Sequence, residues 1–130
     1  MPGGSSSGSN VNVCTNLTAF SIGTDTGDSI RHPASFLNNV GYKPTYGLIS
    51  RYGVFPYSPS LDTVGVIASY VTDIAIVLDA LVKKDPRDFS NVKSLQENYF
   101  KNLNAKDLSS IKLLYLKNCE QYMYQDAKEE

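Results

Sequence analysis

Gly23-Thr24-Asp25-Thr26-Gly27-Asp28-Ser29-Ile30-Arg31 is the stretch on which the reading of this 130-residue chain turns. It is rich in Gly, Thr and Asp, and apolar segments flank it. Before it, Ala19-Phe20-Ser21-Ile22 reads as a short buried strand. After it, Pro33-Ala34-Ser35-Phe36-Leu37 suits a short helix with proline in its first turn. Gly23 to Ser29 is therefore read as a loop between strand and helix. Backbone N–H groups in such a loop lack ladder partners, and together they suit an anion or a developing oxyanion.

A second loop of this kind lies upstream, Gly3-Gly4-Ser5-Ser6-Ser7-Gly8-Ser9. Glycine adds backbone entropy and serine competes for backbone hydrogen bonds, so no strand or helix interior is expected there. No Gly-Lys-Ser/Thr follows it, which excludes a nucleotide P-loop. Gly4-Ser5-Ser6-Ser7-Gly8 matches the G-x-S-x-G nucleophile elbow, but that motif requires a preceding strand and none is read there.

Further along, Asn10 to Thr18 is a mediocre helix by propensity. Val40 to Tyr42 reads as a strand, and Thr45 to Thr63 as ordered loop with short strands. Val71, Ile74, Leu78 and Leu81 recur at helical spacing, with Ala75, Val77 and Val82 widening the face. Ser69 is expected to cap this helix, Asp73 to sit in its first turn, and Lys83-Lys84 in its last. Asp85-Pro86 stops it. A short amphipathic helix is expected near Leu95 to Leu103, a strand at Ile111 to Leu116, and helix in Glu120 to Glu130. Alternating strands and helices give an α/β class. Two stretches follow: a core over residues 1–90, then a polar loop with the start of a further strand and helix over 91–130.

Hydrophobic residues make up 42% of the chain, enough for a core. The net charge of −1 leaves no electrostatic footprint for nucleic acid or an anionic membrane, so any RNA contact is expected to be indirect. No apolar run reaches membrane-spanning length and no signal peptide is read, which points to the cytoplasm. Cys14 and Cys119 lack metal-ligand spacing and are expected to be free thiols. Asn16-Leu17-Thr18 matches a glycosylation sequon by chance. His32 is read as a surface or packing residue, and the nine tyrosines as core and interface residues.

Taken together, the two Gly/Ser loops resemble the signature of the amidase-signature family. Ser5 and Ser29 lie 24 positions apart, the separation of that family's two catalytic serines. The resemblance continues through Gly41-Tyr42-Lys43-Pro44-Thr45-Tyr46-Gly47, Ile49-Ser50-Arg51-Tyr52-Gly53, Ser60-Leu61-Asp62-Thr63-Val64-Gly65 and Asp85-Pro86-Arg87-Asp88. From Tyr46 to Asp62 it is most like the amidase subunits of tRNA-dependent amidotransferases.

The resemblance implies a fragment of the amidase-signature fold, a mixed sheet flanked by helices. It also implies roles. Ser29 would be the nucleophile, and Ser5, held by a cis peptide bond, would relay a proton to a neutral lysine base. Backbone N–H groups of Thr26, Gly27, Asp28 and Ser29 would form the oxyanion hole, and Asp25 and Arg31 would brace the loop. Glutamine would be hydrolysed to glutamate and ammonia, and the ammonia passed to other subunits of a heterotrimeric complex that amidates Glu-tRNA(Gln). No cofactor is expected in this chain, since ATP and Mg would belong to the partner subunit.

Three features depart from the pattern. No lysine of the chain occupies the base position, and Lys43 belongs to a different motif. Asp28 stands where many members carry glycine. Val66 and Ser69 replace a usual Pro and Arg. An isolated chain of this composition is expected to be inactive, and three rivals stand beside the amidotransferase reading. They are a remnant or split half acting by association, another amide hydrolase of the family, and an anion-binding module using the two loops.

Overall fold

The computed structural model describes residues 3–92, 98–103 and 112. The elements run α1 (Ser7–Cys14), β1 (Phe20–Asp25), α2 (Arg31–Phe36), β2 (Val40–Tyr42), β3 (Thr63–Ala68), α3 (Val71–Leu81) and α4 (Tyr99–Asn102). The α/β class holds. The three described strands form a sheet in the order β1-β3-β2, and both pairings are antiparallel.

β3 explains the architecture, and it lies where no strand is expected beyond Thr63. Its residues Thr63-Val64-Gly65-Val66-Ile67-Ala68 are all buried. Successive side chains of a strand point to opposite faces, so a fully buried strand must be covered on both. On one face Val64, Val66 and Ala68 pack with Ile49 and with Ile74, Val77 and Leu78 of α3. On the other, Ile67 packs with Val13 of α1 and with Ile30. Helices thus lie on both sides of the sheet. Each valine, leucine and isoleucine among these contributes about 1.5–3 kcal/mol by leaving water.

Several expectations change. Ser7-Gly8-Ser9 forms the first turn of α1 rather than loop, because tertiary contacts override propensity. The Ser9 hydroxyl donates to the Ile22 carbonyl at 3.1 Å, and buried Asn10 donates Nδ2 to the Ser6 carbonyl at 3.0 Å. β1 runs on to Asp25, so the first three residues of the expected Gly23–Ser29 loop are strand. Among the described strands it lies at the edge of the sheet, and Phe20 and Ile22 are about two-fifths exposed rather than buried. No strand occurs between Thr45 and Asp62, where turns are held by side-chain hydrogen bonds.

α3 starts one residue later than expected. Tyr70 is its N-cap, without a side-chain cap bond, and Lys83-Lys84 lie beyond its end. Ile74, Ala75, Val77 and Leu78 form its buried face, while Val71 is exposed. α4 falls inside the expected Leu95–Leu103 helix, and residues 93–97 lie outside the described residues. The expected strand at Ile111 to Leu116, the helical tail and Cys119 do so too. Cys14 is an exposed free thiol. No helix of the described residues is long and apolar enough to cross a membrane.

Candidate active site

The turn from Asp25 to Arg31 is organised by one buried carboxylate. Asp25 ends β1 fully buried and accepts from the Ile30 N–H at 3.1 Å and the Arg31 N–H at 3.3 Å. The Arg31 guanidinium grips it with two bonds of 3.0 Å and also reaches the Gly27 carbonyl. Burial pushes the Asp25 carboxyl up, and the Arg31 side chain with the two N–H donors more than reverses this, leaving it below the ordinary range. A carboxylate so placed is stable only because each of its oxygens is paired.

That pairing consumes the N–H groups of Ile30 and Arg31 and leaves those before them. Among the described residues, Gly27, Asp28 and Ser29 donate no backbone hydrogen bond. Three successive donors on one turn can hold a developing negative oxygen. Thr26 is anchored differently. Asp25 is in register with Thr63 across β1 and β3, which brings Asp62 opposite Thr26. The Thr26 hydroxyl donates to Asp62 at 2.5 Å, and the N–H groups of Tyr57 (2.9 Å) and Ser58 (3.0 Å) share that carboxylate. The Thr26 bond chiefly, against burial, holds the Asp62 carboxyl below its usual range. Asp62 belongs to the Ser60–Gly65 motif, yet sequence reasoning assigns it no role, because its function depends on a strand register that no single residue signals.

The first serine loop lies against this turn. The Ser6 N–H donates to the Ser29 carbonyl at 3.0 Å, and the Ser6 hydroxyl contacts the Thr24 carbonyl at 3.4 Å. Gly23 and Gly65 face each other in the β1–β3 ladder. A Cβ at Gly23 would stand 2.6 Å from Ser6 Oγ; one at Gly65 would collide with the Tyr42 carbonyl of β2 and stand 2.8 Å from Ile30 Cδ1. Gly23 thus makes room for the first serine loop, and Gly65 for β2 and Ile30. The Gly4–Ser5 peptide is cis. Ser5 is exposed and Ser29 partly buried, and within the described residues neither hydroxyl is engaged in a hydrogen bond. Lys43 donates Nζ to the Pro44 carbonyl at 3.1 Å.

A second network lies beside Asp62. An open pocket of about 530 Å³ separates the Arg51–Asp62 loop from the Arg87–Ser90 turn. Arg51 bridges its walls, donating Nη2 to Ser90 Oγ at 2.9 Å and Nη1 to the Pro59 carbonyl at 2.5 Å while lying over the Tyr46 ring. Asp85 accepts from Arg87 and from Ser50, and the Arg87 side chain chiefly holds its carboxyl far below the usual range. Asn91 is buried and joins this turn to the core, donating to the Gly47 carbonyl at 2.9 Å. No cluster of three His, Cys, Asp or Glu side chains that could hold a metal occurs among the described residues.

Known proteins resemble this chain closely. The A subunit of glutamyl-tRNA(Gln) amidotransferase from Mycoplasma genitalium is 58% identical over 119 residues, 91% of this chain and 25% of that protein. The Mycoplasma pneumoniae protein of the same name is 54% identical over 94% of this chain and 26% of its own length. The chain thus spans about a quarter of the length of these curated relatives. Among solved structures, the same amidotransferase subunit from Thermotoga maritima superposes with a TM-score of 0.69 at 45% identity, over 72% of this chain and 21% of that one. Native peptide amidase from Stenotrophomonas maltophilia gives 0.75 at 43% identity, over 78% and 22%. The amidase family model matches residues 1–130, so that the paired serine loops sit in a chain that belongs to the amidase family.

Proposed function

We propose that this chain carries the nucleophile half of an amidase site, in the amidase subunit of a tRNA-dependent amidotransferase that draws ammonia from glutamine. Ser29 Oγ attacks the amide carbonyl carbon, and its proton passes through the Ser5 hydroxyl to a general base supplied from outside these residues. The N–H groups of Thr26, Gly27, Asp28 and Ser29 receive the oxyanion, each donor contributing roughly 3–4 kcal/mol. The proton then moves to the leaving nitrogen and ammonia departs. Water attacks the acyl-Ser29 ester, releasing glutamate and restoring the serine. Asp25 and Arg31 keep the turn in shape. Other subunits, with ATP and Mg, use the ammonia to amidate Glu-tRNA(Gln), and tRNA contacts this chain only indirectly.

One observation carries this reading. The two serine loops are hydrogen-bonded to each other at Ser6 and Ser29, on a turn whose Gly27, Asp28 and Ser29 N–H donors are unpartnered among the described residues. A fluorophosphonate probe, followed by mass spectrometry on the purified chain with Ser29→Ala as control, tests it. Acylation at Ser29 alone is the expected result. Labelling at another serine, or none in a folded sample even after a complementary lysine-bearing chain is added, sinks it.

A second reading is favoured by surface exposure. Phe89 is fully exposed, and Phe55 and Tyr57 are about nine-tenths exposed, which is unusual for aromatic side chains. In this reading the chain acts only by association with a complementary chain, without chemistry of its own. A glutaminase assay on the mixture separates the two, since activity appearing only on mixing belongs to a split enzyme.

A further inference from the structure

We propose that His32 is a positioning residue that holds the first serine loop against the nucleophile turn. This rests on the amidase reading of Ser5 and Ser29. His32 lies in the first turn of α2, and its imidazole reaches both loops. Nδ1 is 3.6 Å from Oδ2 of Asp28, the residue immediately before Ser29. On the other loop, a Cβ placed on Gly3 would stand 3.3 Å from the same Nδ1 and 3.3 Å from Pro33 Cα. The chain entering Ser5 therefore lies directly on His32 and Pro33. Gly3 also has φ +69°, a left-handed conformation natural to glycine, so this close approach is built into the backbone.

Phe36 meets the ring edge-on, with centroids 5.0 Å apart, and the Ser35 hydroxyl donates to the His32 main-chain carbonyl at 2.7 Å. Asp28 is the charged group facing the imidazole, with Arg31 facing Asp28 in turn. Asp25 is fully engaged by Arg31, so the Asp28 carboxylate is the one left on the turn to hold the imidazole. Where a glycine at position 28 would offer no side chain, Asp28 and His32 supply a bridge from the turn to Gly3.

The bond that reports this lock is Ser6 N–H to Ser29 O. Amide hydrogen exchange on the purified chain reads it directly, with Val66 in the sheet as the reference for global folding. In His32→Ala the protection of the Ser6 amide falls about tenfold while Val66 is unchanged. His32→Gln, which keeps a donor at similar reach, restores most of the loss. An unaltered Ser6 amide in His32→Ala overturns the proposal. So does equal loss in His32→Ala and His32→Gln. Should His32→Ala also strip protection from Val66, Asp28→Asn decides, with about threefold loss at Ser6 expected and no change overturning the lock. Exchange does not depend on acylation. A lock seen at Ser6 without labelling of Ser29 therefore sinks the amidase reading alone.

Discussion

Asp25 is the residue on which the site depends most, and its chemistry predicts how acid acts on it. A fully buried carboxylate with four donors within 3.3 Å stabilises the fold while it is ionised. Its folded carboxyl lies below the ordinary value of 3.8. The contribution is therefore complete above that value and is lost as pH falls through the lower folded one. The urea midpoint is expected to hold between about pH 5 and 8 and to fall below about pH 4, where the unfolded chain takes up protons on carboxylates that the fold keeps ionised. Asp25→Asn removes the charge at every pH. It should cost about 2 kcal/mol at pH 7, the lower end for charged hydrogen bonds because Arg31 is half exposed. It should also shrink the acid limb, and an unchanged limb contradicts the assignment. At this scale much was legible: two unlike charges bracketing Gly27 and Ser29, each unfavourable if buried alone, imply a pair. Asp62 was not legible, since its partner Thr26 lies 36 positions away and meets it only through the β1–β3 register.

Elements follow a different logic, because what decides them is which faces are covered. α3 could be read from the spacing of Ile74, Val77 and Leu78, although Val71, on the same expected stripe, is exposed where the sheet no longer covers it. β3 could not be read by alternation, since both of its faces are buried and its residues form one short apolar run. Such a run bounded by Asp62 and Ser69 was the available signal, and its length favours a strand. β1 reads short in the sequence for the converse reason. Gly23, Thr24 and Asp25 have loop composition, and they remain in the ladder because β3 supplies partners and Gly23 makes room for Ser6. The two-sided burial of β3 has a measurable consequence. Ile67→Ala empties the α1–Ile30 side of the sheet and should destabilise by about 2–5 kcal/mol. Ile22→Ala, on the partly exposed strand β1, should cost well under half as much. Equal costs in urea unfolding would mean that Ile67 does not sit between α1, Ile30 and the sheet.

At the scale of the molecule the site and the surface make opposite demands. The turn around Ser29 has its buried carboxylate paired, and it keeps three N–H donors unpartnered among the described residues. On the surface, Phe55, Phe89 and Tyr57 are almost wholly exposed, and Phe20 and Ile22 of β1 are partly so. Exposed aromatic side chains grouped in this way suit contact with another chain. Hence a chain comprising the remaining sequence of the Mycoplasma genitalium relative should bind this one. Apolar burial makes the heat-capacity change of that association negative. If the added chain also brings the general base, the labelling rate at Ser29 should rise by about 10²–10⁴, the usual contribution of a positioned base. The two measurements can diverge, and that divergence is informative. Binding with no gain in labelling would place the chain among parts that assemble without chemistry, because the Ser5–Ser29 relay would then be complete and idle. Labelling that rises with binding, and falls again in Ser5→Ala of this chain, ties the proton path to the first serine loop and to Gly23 beneath it.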